Sequence, residues 1–141
     1  MRALLQRVER AEVRIGGQRV GSIGVGLVAL VGVRYDDTVE QAVKLARRIH
    51  ELRILRDERS IADTPAAAVL VVSQFTLYAD VRKGRRPSWN AAAPAVAAQP
   101  LVDLVISTLR DRGAVVATGR FGAQMQLELV NDGPVTILLE V

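Results

Sequence analysis

The stretch AQMQLELVNDGPVTILLEV, residues 123–141, carries the pattern on which the fold turns. Its first half sets Ala123, Met125, Leu127 and Leu129 against Gln124, Gln126 and Glu128, the period-2 alternation of a strand with one buried face. Its second half repeats the alternation at Val135, Ile137, Leu139 and Val141. Asp132 and Gly133 between them form the strongest short hairpin signal, because both tolerate positive φ. Pro134 complicates this, since it has no N–H for the ladder and belongs at a strand's first residue, an edge or a bulge. Two readings follow. Either the second strand of a hairpin starts with proline, or the Gly133-Pro134 bond is held in a special conformation, such as cis, to aim carbonyl oxygens; about 5–6% of X-Pro bonds in folded proteins are cis.

Outward from this stretch, the N-terminal part also reads as strands: RALLQRV, AEVRI, a Gly16-Gly17 turn, QRVGSI and then LVALVGV, which is apolar on both faces and so belongs at the centre of a sheet. Asp36, Asp37 and Thr38 offer N-caps. Behind them Val39, Ala42, Val43, Ala46, Ile49 and Arg53 recur at helical spacing. A polar loop, Arg56 to Ala68, leads to the buried strand VLVVSQFTL, Val69 to Leu77. The aperiodic ADVRKGRRPSWNAAAP follows, and a second helix runs from Pro100 in its first turn to a stop at Gly113. If that helix starts earlier, Pro100 lies inside it and kinks it. AVVATG and the two alternating runs close the chain. Strands at both ends with two inserted helices predict an α+β fold, one domain over residues 1–141, with a largely antiparallel, barrel-like sheet.

Composition narrows the function. The chain has 141 residues, half of them hydrophobic, and a formal charge of +4 carried almost wholly by arginine, with lysine only at Lys44 and Lys83. Arginine's planar fork matches phosphate, so a polyanionic partner is the first expectation. There is no cysteine, which removes thiol catalysis, thiolate metal sites and disulfides. The start, MRALLQRVER, lacks the apolar core of a signal peptide, and no uncharged apolar run reaches the roughly 18 residues of a membrane span. A cytoplasmic protein with no membrane partner is expected.

Catalytic side chains are few. His50 is the single histidine and stands in the first helix beside Ile49 and Glu51 with no evident catalytic partner, the setting of a structural or solvent-facing residue. No metal site and no cofactor are expected. Phosphate-loop and nucleophile-elbow motifs are absent, and Gly21, Gly24 and Gly26 miss the dinucleotide-binding order. What remains is polar groups at the end of a strand, Ser73, Gln74 and Thr76. These either bond their own backbone or help a rigid scaffold present N–H groups to a ligand. In RKGRRPSW, Arg82, Lys83, Arg85 and Arg86 stand beside Trp89. They are either a solvated loop or a surface that holds phosphates and stacks a base.

Taken together, SQFTL (Ser73 to Leu77) and NDGPVT (Asn131 to Thr136) resemble the two signature motifs of the D-aminoacyl-tRNA deacylases, in the correct order. LLQRVERAEV, GRRPSW and GRFGAQMQLELVNDGPVT extend the resemblance over nearly the whole chain. It implies a homodimer acting on the aminoacylated 3′ end of tRNA, with no DNA expected, that hydrolyses the ester of D-aminoacyl-tRNA and of mischarged glycine. It also implies a Gly133-Pro134 bond that is cis, whose carbonyl oxygens enter the neighbouring subunit's site and exclude L side chains, with Arg7 steadying the loop. Backbone N–H groups of Phe75 and Thr76 would then hold the aminoacyl group, and Met125 would line the adenine site. The substrate's 2′-hydroxyl would take part in the chemistry; a Thr76 nucleophile is the competing idea, for which the sequence offers no base. The alternative of another class is a non-catalytic, basic tRNA-binding module. The chain departs from the family in RDERSIADTPAAA, which is short and lacks a Gly-Lys-Met-Asn-like stretch, and in Trp89, where phenylalanine is common.

Overall fold

The computed structural model describes every residue from Met1 to Val141. Strands β1 (Arg2–Ile15), β2 (Gln18–Ile23) and β3 (Gly26–Gly32) are followed by helix α1 (Val39–Glu51), strand β4 (Ala68–Ser73), helix α2 (Ala95–Asp111) and strands β5 (Val115–Thr118) and β6 (Gln126–Glu140). Short 3-10 turns occupy Arg56–Glu58 and Phe75–Tyr78.

β1 is the hub. Its C-terminal half pairs with β2 and its N-terminal half with β3 along one edge, while β6 pairs along the whole other edge, all three antiparallel. β3, β4 and β5 then run parallel, because α1 and α2 are the crossovers between them. The expected barrel-like sheet with two helices is therefore present, and it is mixed in direction. The barrel nearly closes where β2 comes against β5. Gly21 makes this approach possible, since a Cβ there would stand 2.3 Å from the Thr118 carbonyl oxygen.

Two apolar layers result. Odd-numbered residues of β3 and β4, such as Leu27, Val31 and Val69, face α1 (Leu45, Ile49) and α2 (Val102, Leu109). Even-numbered Val28, Leu70 and Val72 fill the barrel with Val8, Val13 and Ile23. Both faces of β3 and β4 are thus covered, which is why their sequences are continuously apolar. α1 starts at Thr38, whose N–H donates to the Gln41 carboxamide oxygen at 2.9 Å.

The hairpin expected at Asp132-Gly133 is not formed. β6 is one strand, and both of its alternating runs pair with β1. Two steps along β1, from Gln6 to Val8, face five along β6, from Thr136 to Asn131, so three residues of β6 are surplus and loop out as a bulge. Proline is tolerated here because a bulge needs no ladder N–H. A second slip, between Val8 and Arg10, exchanges the faces of β1: Leu5 packs toward the helices, whereas Ala11 and Val13 point into the barrel.

Other boundaries shift for local reasons. RALLQRV and AEVRI are one strand. β4 stops at Ser73, because Phe75–Tyr78 turns as a 3-10 segment. β6 begins at Gln126, three residues later than the alternation suggests. α2 starts at Ala95 with Pro94 as its cap and carries Pro100 inside. The three- and four-residue spacing of Ala98, Val102, Val105 and Leu109 on the core outweighs one missing hydrogen bond.

Gly21→Val would suit strand propensity yet force β2 away from β5. The substitution is expected to cost about 1–3 kcal/mol, the usual penalty of overpacking, read as a lower urea midpoint.

Candidate active site

The parallel pairing of β3 and β4 brings their C-terminal ends to one rim. The Gln74 N–H extends the ladder by one bond, donating to Val31 O at 2.7 Å, and the chain then turns sharply through Phe75–Tyr78. The first N–H groups of such a turn, those of Phe75 and Thr76, have no partner within it. The far end is clamped by Arg2, which donates to Leu77 O at 3.0 Å and lies 4.7 Å over the ring of Tyr78. Burial and the nearby Asp37 carboxylate push the Tyr78 hydroxyl up to about 12, so it stays neutral.

Beside this turn lies a cavity of about 480 Å³, lined mainly by apolar side chains. Ser73, Gln74 and Phe75 form one wall, and Met125 closes another with the loop that precedes β6. The Cβ atoms of Ala95 and Ala98 on α2 leave the space open. Phe75 is 55% exposed and packs edge-on against Trp89, with ring centroids 5.2 Å apart at 71°. Of the residues singled out in the sequence, Ser73, Gln74, Phe75 and Met125 therefore share this cavity, and Trp89 reaches it through Phe75. Phe121, Gln124 and Val102 also line it and carried no sequence signal, because their role depends on where α2 and the 121–125 loop pack.

Thr76 does not line the cavity. Its hydroxyl accepts from the Gln74 carboxamide, and no base contacts it. His50 is buried in α1, where its Nδ1 accepts from Arg112 Nε at 3.4 Å, remote from the rim. No group of three or more His, Asp or Glu converges anywhere. The arrangement can position an acyl group and offer N–H donors to an oxyanion, with no nucleophile–base pair on the protein.

Arg82 is occupied by a forked interaction with Asp80, at 2.9 and 2.7 Å, whose hydrogen bonds hold the Asp80 carboxyl far below the usual carboxylate range. Lys83, Arg85 and Arg86 are exposed and free of carboxylate partners.

The bulge is built separately, and Gly133 and Pro134 do not line the cavity of their own chain. Arg7 Nε donates to Asp132 O at 3.2 Å and meets Asp132 Oδ2 at 3.1 Å, while its Nη1 donates to Ile54 O at 3.3 Å. Asn131 Nδ2 spans the neck of the loop, donating to Arg7 O at 2.9 Å and Val135 O at 3.0 Å. Gly133 has φ +106°, and a Cβ there would stand 2.4 Å from Arg7 Nη2, so only glycine fits under the guanidinium. The expected cis bond is not found: Gly133-Pro134 is trans, the isomer an X-Pro bond favours by about 0.5–1 kcal/mol when nothing opposes it.

A profile of the family described as D-Tyr-tRNA(Tyr) deacylase matches residues 4–140. The chain belongs to this family. A family member from Beutenbergia cavernae, a D-aminoacyl-tRNA deacylase, is 63% identical over 141 residues, 99% of each chain. That of Streptomyces coelicolor is 60% identical over the full length of both chains. Among solved structures, one described as a c-Myc DNA Unwinding Element Binding Protein superposes with a TM-score of 0.93 at 38% identity, covering 100% of this chain and 99% of that one. A probable eukaryotic D-amino acid tRNA deacylase superposes at 0.86 with 17% identity, over 99% and 98%, and so shares the fold. SQFTL and NDGPVT fold into the two places described above, the 3-10 rim and the β6 bulge.

Burial lowers the His50 pKa, and the Arg112 cation adds to the effect. The unfolded chain therefore binds this proton more readily, and stability falls as pH drops below about 6.5, levelling off below the lowered folded value. The loss of urea midpoint between pH 8 and pH 5 is expected to be smaller in His50→Gln than in the parent protein.

Proposed function

We propose that this chain hydrolyses the ester between a D-amino acid, or mischarged glycine, and the terminal ribose of tRNA. Family membership supports the reaction class. The observation that carries the reading is the cavity at the SQFTL rim, which has N–H donors and a carboxamide at one wall and no nucleophile–base pair. Water adds to the ester carbonyl, the bond to the ribose oxygen breaks, and the products are the free amino acid and tRNA. The aminoacyl ester is already activated. Positioning by Ser73, Gln74 and the N–H groups of Phe75 and Thr76, with the substrate's own 2′-hydroxyl assisting, supplies what the side chains do not. Met125 takes the terminal adenine. The site works in the cytoplasm, where charged tRNA is found.

Chirality is read across a homodimer. Gly133 and Pro134 lie outside their own chain's cavity, at a bulge fixed by Arg7, and β6 leaves one whole edge without a ladder partner. An unpaired edge of that length is a ready surface for a second copy. The carbonyl oxygens of the bulge then enter the partner's cavity, where an L side chain meets them and a D side chain or glycine does not. Lys83, Arg85 and Arg86, beside Arg82 in its pair with Asp80 and with Trp89 beside the cavity mouth, hold the phosphates and bases of the tRNA 3′ end.

Parallel hydrolysis of D-tyrosyl-tRNA and L-tyrosyl-tRNA, with the spontaneous rate subtracted, tests this. Loss of the D ester alone is expected. Tight tRNA binding with both esters intact would make the protein a non-catalytic binding module. Thr76→Ala is expected to keep activity within about threefold, since a lost nucleophile would cost orders of magnitude. Arg85→Ala with Arg86→Ala should raise KM and flatten its salt dependence by about one log–log unit per lost phosphate contact while leaving kcat nearly unchanged.

A further inference from the structure

Arg7 is not the only cation on the bulge. Asp132 is one of the few buried charged residues, 9% exposed, and each of its carboxylate oxygens has its own arginine. Oδ2 meets Arg7 Nε at 3.1 Å, and Oδ1 meets Arg56 Nη2 at 2.6 Å. Arg56 opens RDERSIADTPAAA, the polar segment between α1 and β4. Its reach is set by the backbone. Asp57 and Glu58 both sit in the left-handed region, at φ 58° and 53°, a conformation that non-glycine residues avoid and that persists only where surrounding contacts over-determine it. This turn, closed by the Leu55 N–H on Arg59 O at 2.9 Å, presents Arg56 to the bulge, while Ile54 O just before it takes the Nη1 donor of Arg7. The bulge is therefore tied to this part of the chain directly through Arg56 and indirectly through Arg7.

We infer that Arg56 is a positioning residue for the chiral filter: acting through Asp132, it fixes the bulge that carries Gly133 and Pro134, so that their carbonyl oxygens keep one position against an L substrate. The inference rests on the proposed reading of the bulge as the filter. Arg56 touches no reacting atom, and its side chain is 70% exposed, so its removal is compatible with folding.

The test compares wild type, Arg56→Gln and Arg56→Lys as intact proteins, with kcat and KM for D-tyrosyl-tRNA and the rate on L-tyrosyl-tRNA. In Arg56→Gln the D-over-L ratio is expected to fall about tenfold, the worth of one partly exposed charge-assisted hydrogen bond. The D-substrate KM should move less than twofold, because the tRNA contacts lie elsewhere. Lysine can also donate to Oδ1, so Arg56→Lys should restore most of the ratio. An unchanged ratio in Arg56→Gln beside a D-selective wild type overturns the role of Arg56 and leaves the filter standing. A ratio as low in Arg56→Lys as in Arg56→Gln also overturns it, since the charge would not be what matters. A wild type that does not separate D from L overturns the filter and this inference together.

Discussion

Backbone pairing along β1 is the constraint from which the rest follows. One strand of 14 residues serves β2 and β3 on one edge and β6 on the other, so its register fixes the position of every antiparallel element at once. With β3 placed, the crossovers through α1 and α2 set β4 and β5 parallel to it, and the sheet curls until β2 reaches β5. Because a one-residue slip would turn each buried face outward, the slips that do occur along β1 are tightly specified by the two apolar layers.

Those slips are where the protein places its polar chemistry. The surplus in β6 opposite Gln6 and Val8 is absorbed by a loop whose peptide groups Asn131 and Arg7 bind individually, and whose buried carboxylate is neutralised by two arginines. Only Arg7 and Asp132 are buried on both sides, so removing Asp132, which leaves the Arg7 cation buried without a carboxylate, is the costly change, typically about 3–5 kcal/mol, whereas Arg56 is largely exposed and its loss leaves Asp132 paired with Arg7. The conformation of the bulge is therefore set by its supports, and Pro134, which has no N–H, costs the ladder nothing there. At the other site the same economy holds. A 3-10 turn held by Arg2 and Gln74 stands beside a cavity lined by two alanines of α2.

A deacylase built this way needs few side chains of its own. On the proposed mechanism, an activated ester with a hydroxyl on the neighbouring ribose carbon asks chiefly for orientation and for donors where charge develops. That proposal accounts for a chain with one histidine and no cysteine belonging to a family of hydrolases, with His50 packed against Arg112.

Elements whose signal is local were legible in the sequence. β2, β3 and α1 fall where the apolar period and the cap at Thr38 put them, because hydrophobic spacing and capping act within a few residues. SQFTL and NDGPVT could be singled out as a pair, and Ser73, Gln74, Phe75 and Met125 meet at one cavity. What the sequence could not determine was which strands pair. Asp132-Gly133 between alternating runs is the pattern of a hairpin. It becomes a bulge only because β1 is long enough to bind both runs, a choice made by pairing over more than a hundred residues of separation. The same is true of Arg56 on Asp132, of α2 beginning ahead of Pro100, and of the cavity wall at Val102 and Phe121. Local propensity sets which segments are strands and helices; long-range burial and hydrogen bonding decide how they are joined, and both sites lie at those joints.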